Sequence, residues 1–317
     1  NALTMQFIGF AIPSEESILP TEHLAREIAE IRNAVEKRLA AEFDRLPASE
    51  VRDAARYAAL GGGHRWRAIV AVAAGRIFRT DALDVVLPFA CGAELAHAAS
   101  LVLDDLPSMD NAQMRRGKPC THLLFPNWAV DMTPTFLVNM AYEVSLANPR
   151  VPAERRIRAT LDLSAAATQL MVGQVKDLKQ DHAISKDGEG LLECYRLKSG
   201  ALFASTIKAG GILCGASDLE SAKLHAVGLN LGTGFQFLDD IADVIAGVDD
   251  VGKERGMDRH KWTSVDWLGF DETVKRSEEL QAAALKALDD FGSEADLLRS
   301  LVREANLRKE LEISAAD

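Results

Sequence analysis

The sequence lacks any apolar run near the roughly 18 residues a membrane span requires. Its longest candidates, such as Ala68–Ala74, are short and alanine-rich and read as buried helix. Nothing near the start pairs a basic region with a long apolar stretch, so no signal peptide is expected. Basic residues are not in excess. The formal net charge is -11, which disfavours nucleic acid as the principal partner, because phosphate backbones recruit Lys and Arg. The four cysteines, Cys91, Cys120, Cys194 and Cys214, have no zinc-like spacing, and three sit among apolar or small residues, as buried free thiols do. That pattern predicts no disulfide framework and a reducing, cytoplasmic setting. Also missing is any internal repeat of 20–50 residues, which sets solenoids aside. No stretch sustains the period-two alternation of a half-buried sheet.

What remains is helical periodicity. The 317 residues, 48% hydrophobic and 26% charged, can bury a large single core. Thr21 is a good N-cap, and Leu24, Ile28, Ile31, Val35, Leu39 and Phe43 then recur at helical spacing. A second helix is expected from Pro47–Ser49 to the run Gly61-Gly62-Gly63, because glycine ends helices cheaply. Further helices are expected over Arg67–Phe78, Val85–Asp105, Ala153–Lys179, Leu191–Leu213, Leu219–Ile245 and Glu272–Asp290. Ser293 with Asp296 reads as a capping box opening a last helix. No linker composition divides the chain. The expectation is an all-α, single-domain bundle of long antiparallel helices around a central cavity, spanning 21–317, behind an N-terminal extension over 1–20.

The acidic residues are not spread evenly. One cluster is Asp104-Asp105-Leu106-Pro107-Ser108-Met109-Asp110, at the end of an apolar helix and followed by Arg115-Arg116. The other is Asp239-Asp240-Ile241-Ala242-Asp243, inside an apolar helix. Asp239 and Asp243 share a helix face, with Gln236 a turn earlier on the same side. Like charges stacked this way oppose an isolated helix and raise each other's pKa. A bound cation removes both penalties. Hard carboxylate oxygens, one or two per ion, suit Mg²⁺, which takes its remaining ligands from water and substrate phosphates. A single Asp-Asp pair is ordinarily a helix-end or surface feature; two embedded in apolar helices are harder to explain that way. Arg115, Arg116, Lys198, Lys253 and Lys261 supply cations. Each alone is an ordinary solvated charge, but as a set they suit diphosphate recognition.

At this point four strings recur in order: Gly62-Gly63-His64-Arg65-Trp66-Arg67; Asp104–Asp110 with Arg115-Arg116-Gly117-Lys118-Pro119; Lys198-Ser199-Gly200-Ala201-Leu202-Phe203; and Gly234 through Asp243. Together they resemble the trans-isoprenyl diphosphate synthases, most closely the bacterial geranylgeranyl diphosphate synthases, over roughly Tyr57 to Lys261. The resemblance implies a homodimeric prenyltransferase that joins isopentenyl diphosphate to an allylic diphosphate. By analogy Asp104, Asp105, Asp110, Asp239 and Asp243 would hold about three Mg²⁺ ions, as in the family, with Asp240 in support. Arg115, Lys198, Ser199, Gln236, Lys253 and Lys261 would complete the allylic diphosphate shell. Isopentenyl diphosphate would sit on Arg67, His97 and Arg116, with His64 close by. In the family the prenyl tunnel passes the residues four and five before the first motif, here Ser100 and Ala99. An aromatic at 99 would stop the product at fifteen carbons, whereas alanine admits twenty; alanine also serves close helix packing, so both readings stand.

The chain departs from the family pattern in several places. His64 stands where Lys is usual, Ala68 where Pro is usual, and Ser199 where Thr is commoner. Pro134-Thr135-Phe136 replaces a Gly-Asp-Ala run, and Thr133 as N-cap with Pro134 at the first helical position would explain it. Phe136 would then reshape packing near the tunnel or the subunit interface. Alternatives on the same fold stay open: a farnesyl diphosphate synthase, a terpene synthase that ionises without condensing, and a non-catalytic partner subunit.

Overall fold

The computed structural model describes residues 21–179, 188–249 and 262–314. Helix α1 (Thr21–Asp44) buries the predicted stripe, from Leu24 through Ile31 and Leu39 to Phe43. Ser49 caps α2 (Glu50–Leu60) by accepting the Arg52 N–H at 3.2 Å. The chain then leaves the helix through Gly62 and Gly63, at φ 101° and 116°, in the region glycine enters without a Cβ penalty. Helices α3 (Trp66–Arg76), α4 (Ala82–Asp104) and α5 (Asn127–Leu146) pack in succession, α4 lying on both neighbours. After α6 (Ala153–Lys179), α7 (Gly188–Tyr195) runs through a π-helical turn, Arg196–Gly200, into α8 (Ala201–Cys214). The long α9 (Asp218–Asp249), the short α10 (Ser264–Leu268), α11 (Phe270–Lys286) and α12 (Asp296–Ser314) complete the bundle.

The expected fold class holds, with local corrections. Helix α4 is, by length and composition, apolar enough to cross a membrane, contrary to the sequence expectation; most of it lies buried against protein. It is a core helix, and a helix buried all round reads like a span. Helix α5 starts at Asn127, well before Thr133. Pro134 is therefore inside a helix and cannot donate to the carbonyl of Val130. The Thr133 hydroxyl instead satisfies the adjacent carbonyl of Ala129 at 2.8 Å. The Leu191–Leu213 helix is interrupted by the π turn. Ser293 opens a 3-10 turn without a side-chain cap, while an unforeseen capping box joins Thr263 and Asp266. Among the described residues the only strand pairing is a two-residue ladder, β1 (Met114–Arg115) on β2 (Lys118–Pro119).

Helix α8 is buried along its whole length and packs against α3, α6 and α9. Glycines set how near the backbones come. A Cβ at Gly210 would lie 2.0 Å from the carbonyl oxygen of Ala71, and one at Gly228 2.5 Å from the Cα of Ala204. Backbone atoms cannot swing away as side chains do, so overpacking here has no cheap relief. Gly210→Ala should therefore destabilise the protein by about 1–3 kcal/mol or more, read as a fall in the thermal unfolding midpoint by circular dichroism. An unchanged midpoint would mean that α3 and α8 do not meet this closely.

Candidate active site

Two aspartate-bearing helix segments meet over one cavity. The first is the end of α4, where Asp104 closes the helix and the chain turns through Asp110. The second is the middle of α9, where Asp239 and Asp243 share a face. Asp104, Asp110, Asp239 and Asp243 all line a cavity of about 340 Å³. Lys198, Ser199, Gln236, Arg115, Arg67 and His97 line it as well. Among the described residues no three His, Cys, Asp or Glu side chains are grouped closely enough to hold a metal ion by themselves. That donor set suits Mg²⁺, which needs only one or two carboxylates per ion when phosphate oxygens supply the rest.

Burial dominates the electrostatics. It pushes the Asp104 carboxyl up from 3.8 to about 6, with Lys198 pulling it down and Asp110 pushing it further up. Lys198 leaves the π turn and pairs with Asp177 of α6, Nζ to Oδ2 2.6 Å. The π turn gives this stretch a rotation that an unbroken α-helix would not have, and such turns recur at functional sites. Gly173 lets α6 approach it, because a Cβ there would sit 2.5 Å from the Lys198 backbone nitrogen. The Ser199 hydroxyl donates to Gln236 Oε1 at 2.9 Å and ties the turn to α9.

Another part of the lining is cationic. Arg67 lies with its guanidinium carbon 4.7 Å from the centre of the Phe203 ring, a favourable cation–π placement. Its buried Nε has no hydrogen-bond partner. Burial lowers Arg67 to about 10, with Glu94 opposing the shift, so it stays protonated at neutral pH. His97 is held well below its usual value, first by burial and then by Arg67 and other arginines, so it is neutral near pH 7. Its Nδ1 is also buried without a partner. Glu94 is buried behind this wall and accepts the Ala68 N–H at 3.0 Å. A proline at 68 could not make that bond, which accounts for one departure from the family pattern.

Some predicted residues turn elsewhere. Asp105 is buried and engages Arg115, Nη2 to Oδ1 2.5 Å, rather than facing the other carboxylates. Arg116 holds the carbonyl of Gly62, and its guanidinium fills the space a Cβ on Gly63 would take. Both residues border a small recess beneath the β1–β2 hairpin. His64 is exposed on the loop before α3. Asp240 lines the cavity, but its Oδ2 is taken up by hydrogen bonds from Tyr195 and Ser264. Lys253 and Lys261 lie outside the described residues.

A second cavity of about 290 Å³ adjoins the first, sharing Ser100 and Leu170 with it. Ala99, Leu103, Val138 and Met171 make its wall largely apolar. The Ser100 hydroxyl is turned onto the His97 carbonyl at 2.9 Å. Pro134 and Thr135 line this cavity, while Phe136 packs on the main core. The unusual run thus shapes the wall of this cavity through its first two residues, not its aromatic one. Sequence reasoning missed Asp177, Tyr195, Phe203 and Ser264. A glycine inside α6, four residues before Asp177, was the available signal for the first.

The chain resembles known proteins in sequence and in fold. The polyprenyl synthetase family model matches residues 48–297. A geranylgeranyl diphosphate synthase of Pseudescherichia vulneris is 34% identical over 261 residues, covering 80% of this chain and 83% of its own. A dimethylallyltranstransferase of Fischerella ambigua is 32% identical over 286 residues, covering 89% of this chain and 82% of its own. The crystal structure of a geranyltransferase from Legionella pneumophila superposes with a TM-score of 0.81 at 28% identity, covering 92% of this chain and 99% of that one. The chain belongs to the polyprenyl synthetase family, whose members act as transferases on isoprenoid diphosphates.

The Asp104 shift has a consequence for pH. Its folded pKa lies above the ordinary carboxylate value, so the fold penalises the charged form, and the penalty is relieved as pH falls through about 6. Protons and a divalent cation then compete for the same oxygens. Calorimetric titration of Mg²⁺ with inorganic diphosphate should show affinity weakening as pH drops from 7 to 5. A flat profile would mean that Asp104 takes no part in binding.

Proposed function

We propose that this chain is a Mg²⁺-dependent trans-prenyltransferase condensing isopentenyl diphosphate with dimethylallyl, geranyl or farnesyl diphosphate to form geranylgeranyl diphosphate. The observation that carries the reading is one cavity lined both by clustered carboxylates and by Arg67 with His97, adjoining an apolar pocket past Ala99. A carboxylate wall meets a diphosphate through cations, whereas the Arg67 wall meets one directly. Two diphosphates of different status thus fit side by side.

Asp104, Asp105, Asp110, Asp239 and Asp243 are the residues that would hold Mg²⁺; Asp105 would have to share itself between metal and Arg115. The metal would supply positive charge that offsets the charge growing on the departing diphosphate. Arg115 and Lys198 add fixed positive charge at the same wall. When the allylic carbon–oxygen bond breaks, its electron pair leaves with the diphosphate. The double bond of isopentenyl diphosphate, oriented by Arg67 and the neutral His97, then attacks the allylic carbon and forms the new carbon–carbon bond. The resulting cation loses a proton to the released diphosphate, and no side-chain base is required. Leu101, Leu170 and Tyr195 in the cavity lining help exclude water from the cation. Each methylene of the growing tail that enters the apolar pocket contributes about 0.8 kcal/mol.

Two further parts of the reading concern setting. Exposed Trp128 and Met132 on α5, with Ile157, Leu161, Val172 and Val175 on α6, give an apolar surface that suits a homodimer. The four free, buried cysteines fit a reducing cytoplasm. A terpene synthase would have no use for Arg67 and His97, both placed for a second anion, and a non-catalytic subunit would have none for the clustered carboxylates.

The test is product sizing after dephosphorylation, with Mg²⁺, labelled isopentenyl diphosphate and each allylic starter in turn. A twenty-carbon alcohol that disappears on chelation is expected. Hydrocarbon or alcohol made from an allylic diphosphate alone would point to a terpene synthase, and no turnover at all to a partner subunit. Ala99→Phe should shorten the main product to fifteen carbons. An unchanged product would put the tail somewhere other than the pocket beside Ala99.

A further inference from the structure

Asp240 sits in the second aspartate motif and lines the cavity with Asp239 and Asp243, yet one oxygen of its carboxylate is committed to the fold. One oxygen, Oδ2, accepts the Ser264 N–H at 2.8 Å and the Ser264 hydroxyl at 2.5 Å. The same oxygen accepts the Tyr195 hydroxyl, which in turn lies 3.2 Å from the Ser264 N–H. All three residues are buried: Asp240 is 6% exposed, Tyr195 4% and Ser264 0%. The cluster therefore joins the end of α7, the middle of α9 and the start of α10. Around it Leu191, Cys194, Tyr195 and Phe237 form a small core separate from the main one, with Trp262 and Trp267 packed against it. Tyr195 and Phe237 meet edge to face, with ring centroids 5.4 Å apart. On the far side, the Ser264 carbonyl accepts the Thr273 hydroxyl at 3.0 Å, and Thr263 with Asp266 closes a capping box.

This arrangement matters to the site because the residues before Ser264 are not remote. Trp262 and Thr263 line the carboxylate cavity alongside Asp239 and Asp243. They have no long helix behind them, since α10 spans only Ser264–Leu268. Their position depends on what holds Ser264.

We propose that Asp240 is a positioning residue rather than a metal ligand: with Tyr195 it latches Ser264, and so fixes Trp262 and Thr263 at the edge of the diphosphate cavity. An acceptor oxygen is all the latch requires. A Mg²⁺ ligand would require the charge, because a neutral amide is a much poorer partner for a hard cation. The two roles therefore answer differently to the same conservative change. The proposal takes its substrates from the prenyltransferase reading, but its structural readout does not depend on turnover.

The experiment compares Asp240→Asn, Asp240→Ala and Ser264→Ala with the parent chain. Amide hydrogen exchange over 262–268 is measured first, together with tryptophan fluorescence as Mg²⁺ and inorganic diphosphate are added. Steady-state kinetics then give KM for the allylic diphosphate and the half-saturating Mg²⁺ concentration. Asp240→Ala and Ser264→Ala should both lose exchange protection over 262–268 and raise KM about tenfold, with half-saturating Mg²⁺ little changed. Asp240→Asn should stay close to the parent in protection and in Mg²⁺ requirement. The proposal is overturned if Asp240→Asn raises half-saturating Mg²⁺ about tenfold or more, the mark of a lost ligand. It is equally overturned if Ser264→Ala leaves protection and KM as they were. Should the parent show no prenyl transfer, the exchange data still decide the latch, and only the functional reading fails.

Discussion

Everything at the site depends on how closely α8 can be approached. It is the buried centre of the bundle, and its neighbours reach it through small residues rather than interlocking large ones. Gly210 meets the backbone of α3 at Ala71, and Gly228 of α9 meets the backbone of α8 at Ala204. Gly173 of α6 meets the π turn that precedes α8. These contacts set the width of the cavity above. With wider spacing, Lys198 would no longer reach Asp177, and Phe203 would no longer lie beneath Arg67.

Such a scaffold can hold charges that would otherwise repel. The acidic wall is kept tolerable by partial neutralisation of Asp104, by the Lys198–Asp177 pair, and by turning Asp105 onto Arg115. The basic wall is kept tolerable by an uncharged His97, by the Phe203 ring, and by Glu94 behind. The basic part of the lining retains unsatisfied capacity: the Nε of Arg67 and the Nδ1 of His97 are buried without partners. Orphaned buried donors cost free energy and persist where a ligand completes them. This is the pattern of a site preorganised for two anions, one approached through metal and one met directly.

Much of this was legible in the sequence because it rests on periodicity. The α1 stripe, the glycine stop after α2 and the helix face shared by Asp239 and Asp243 follow from helical spacing alone. What periodicity does not carry was misread or missed. Proline after a threonine reads as a helix start, yet Pro134 lies inside α5, which begins at Asn127. The π turn at Arg196–Gly200 has no spacing signature distinct from the flanking α-helix. Asp177 and Ser264 reach the site through tertiary packing, and α4 resembles a membrane span only because core burial and lipid select the same side chains. Asp240 lines the cavity with its neighbours in the motif, yet its Oδ2 is held by Tyr195 and Ser264, contacts that helical spacing does not announce.

The central claim is that two diphosphates occupy one cavity side by side, one among the carboxylates and one at Arg67 and His97. It is tested most directly by a crystal structure with Mg²⁺, isopentenyl diphosphate and an unreactive thiolo analogue of an allylic diphosphate. The account predicts the analogue's diphosphate between the two aspartate motifs and its tail past Ala99 and Ser100. Isopentenyl diphosphate should then rest on Arg67 and His97. A structure with the analogue bound and no second diphosphate at Arg67, under saturating isopentenyl diphosphate, would contradict it.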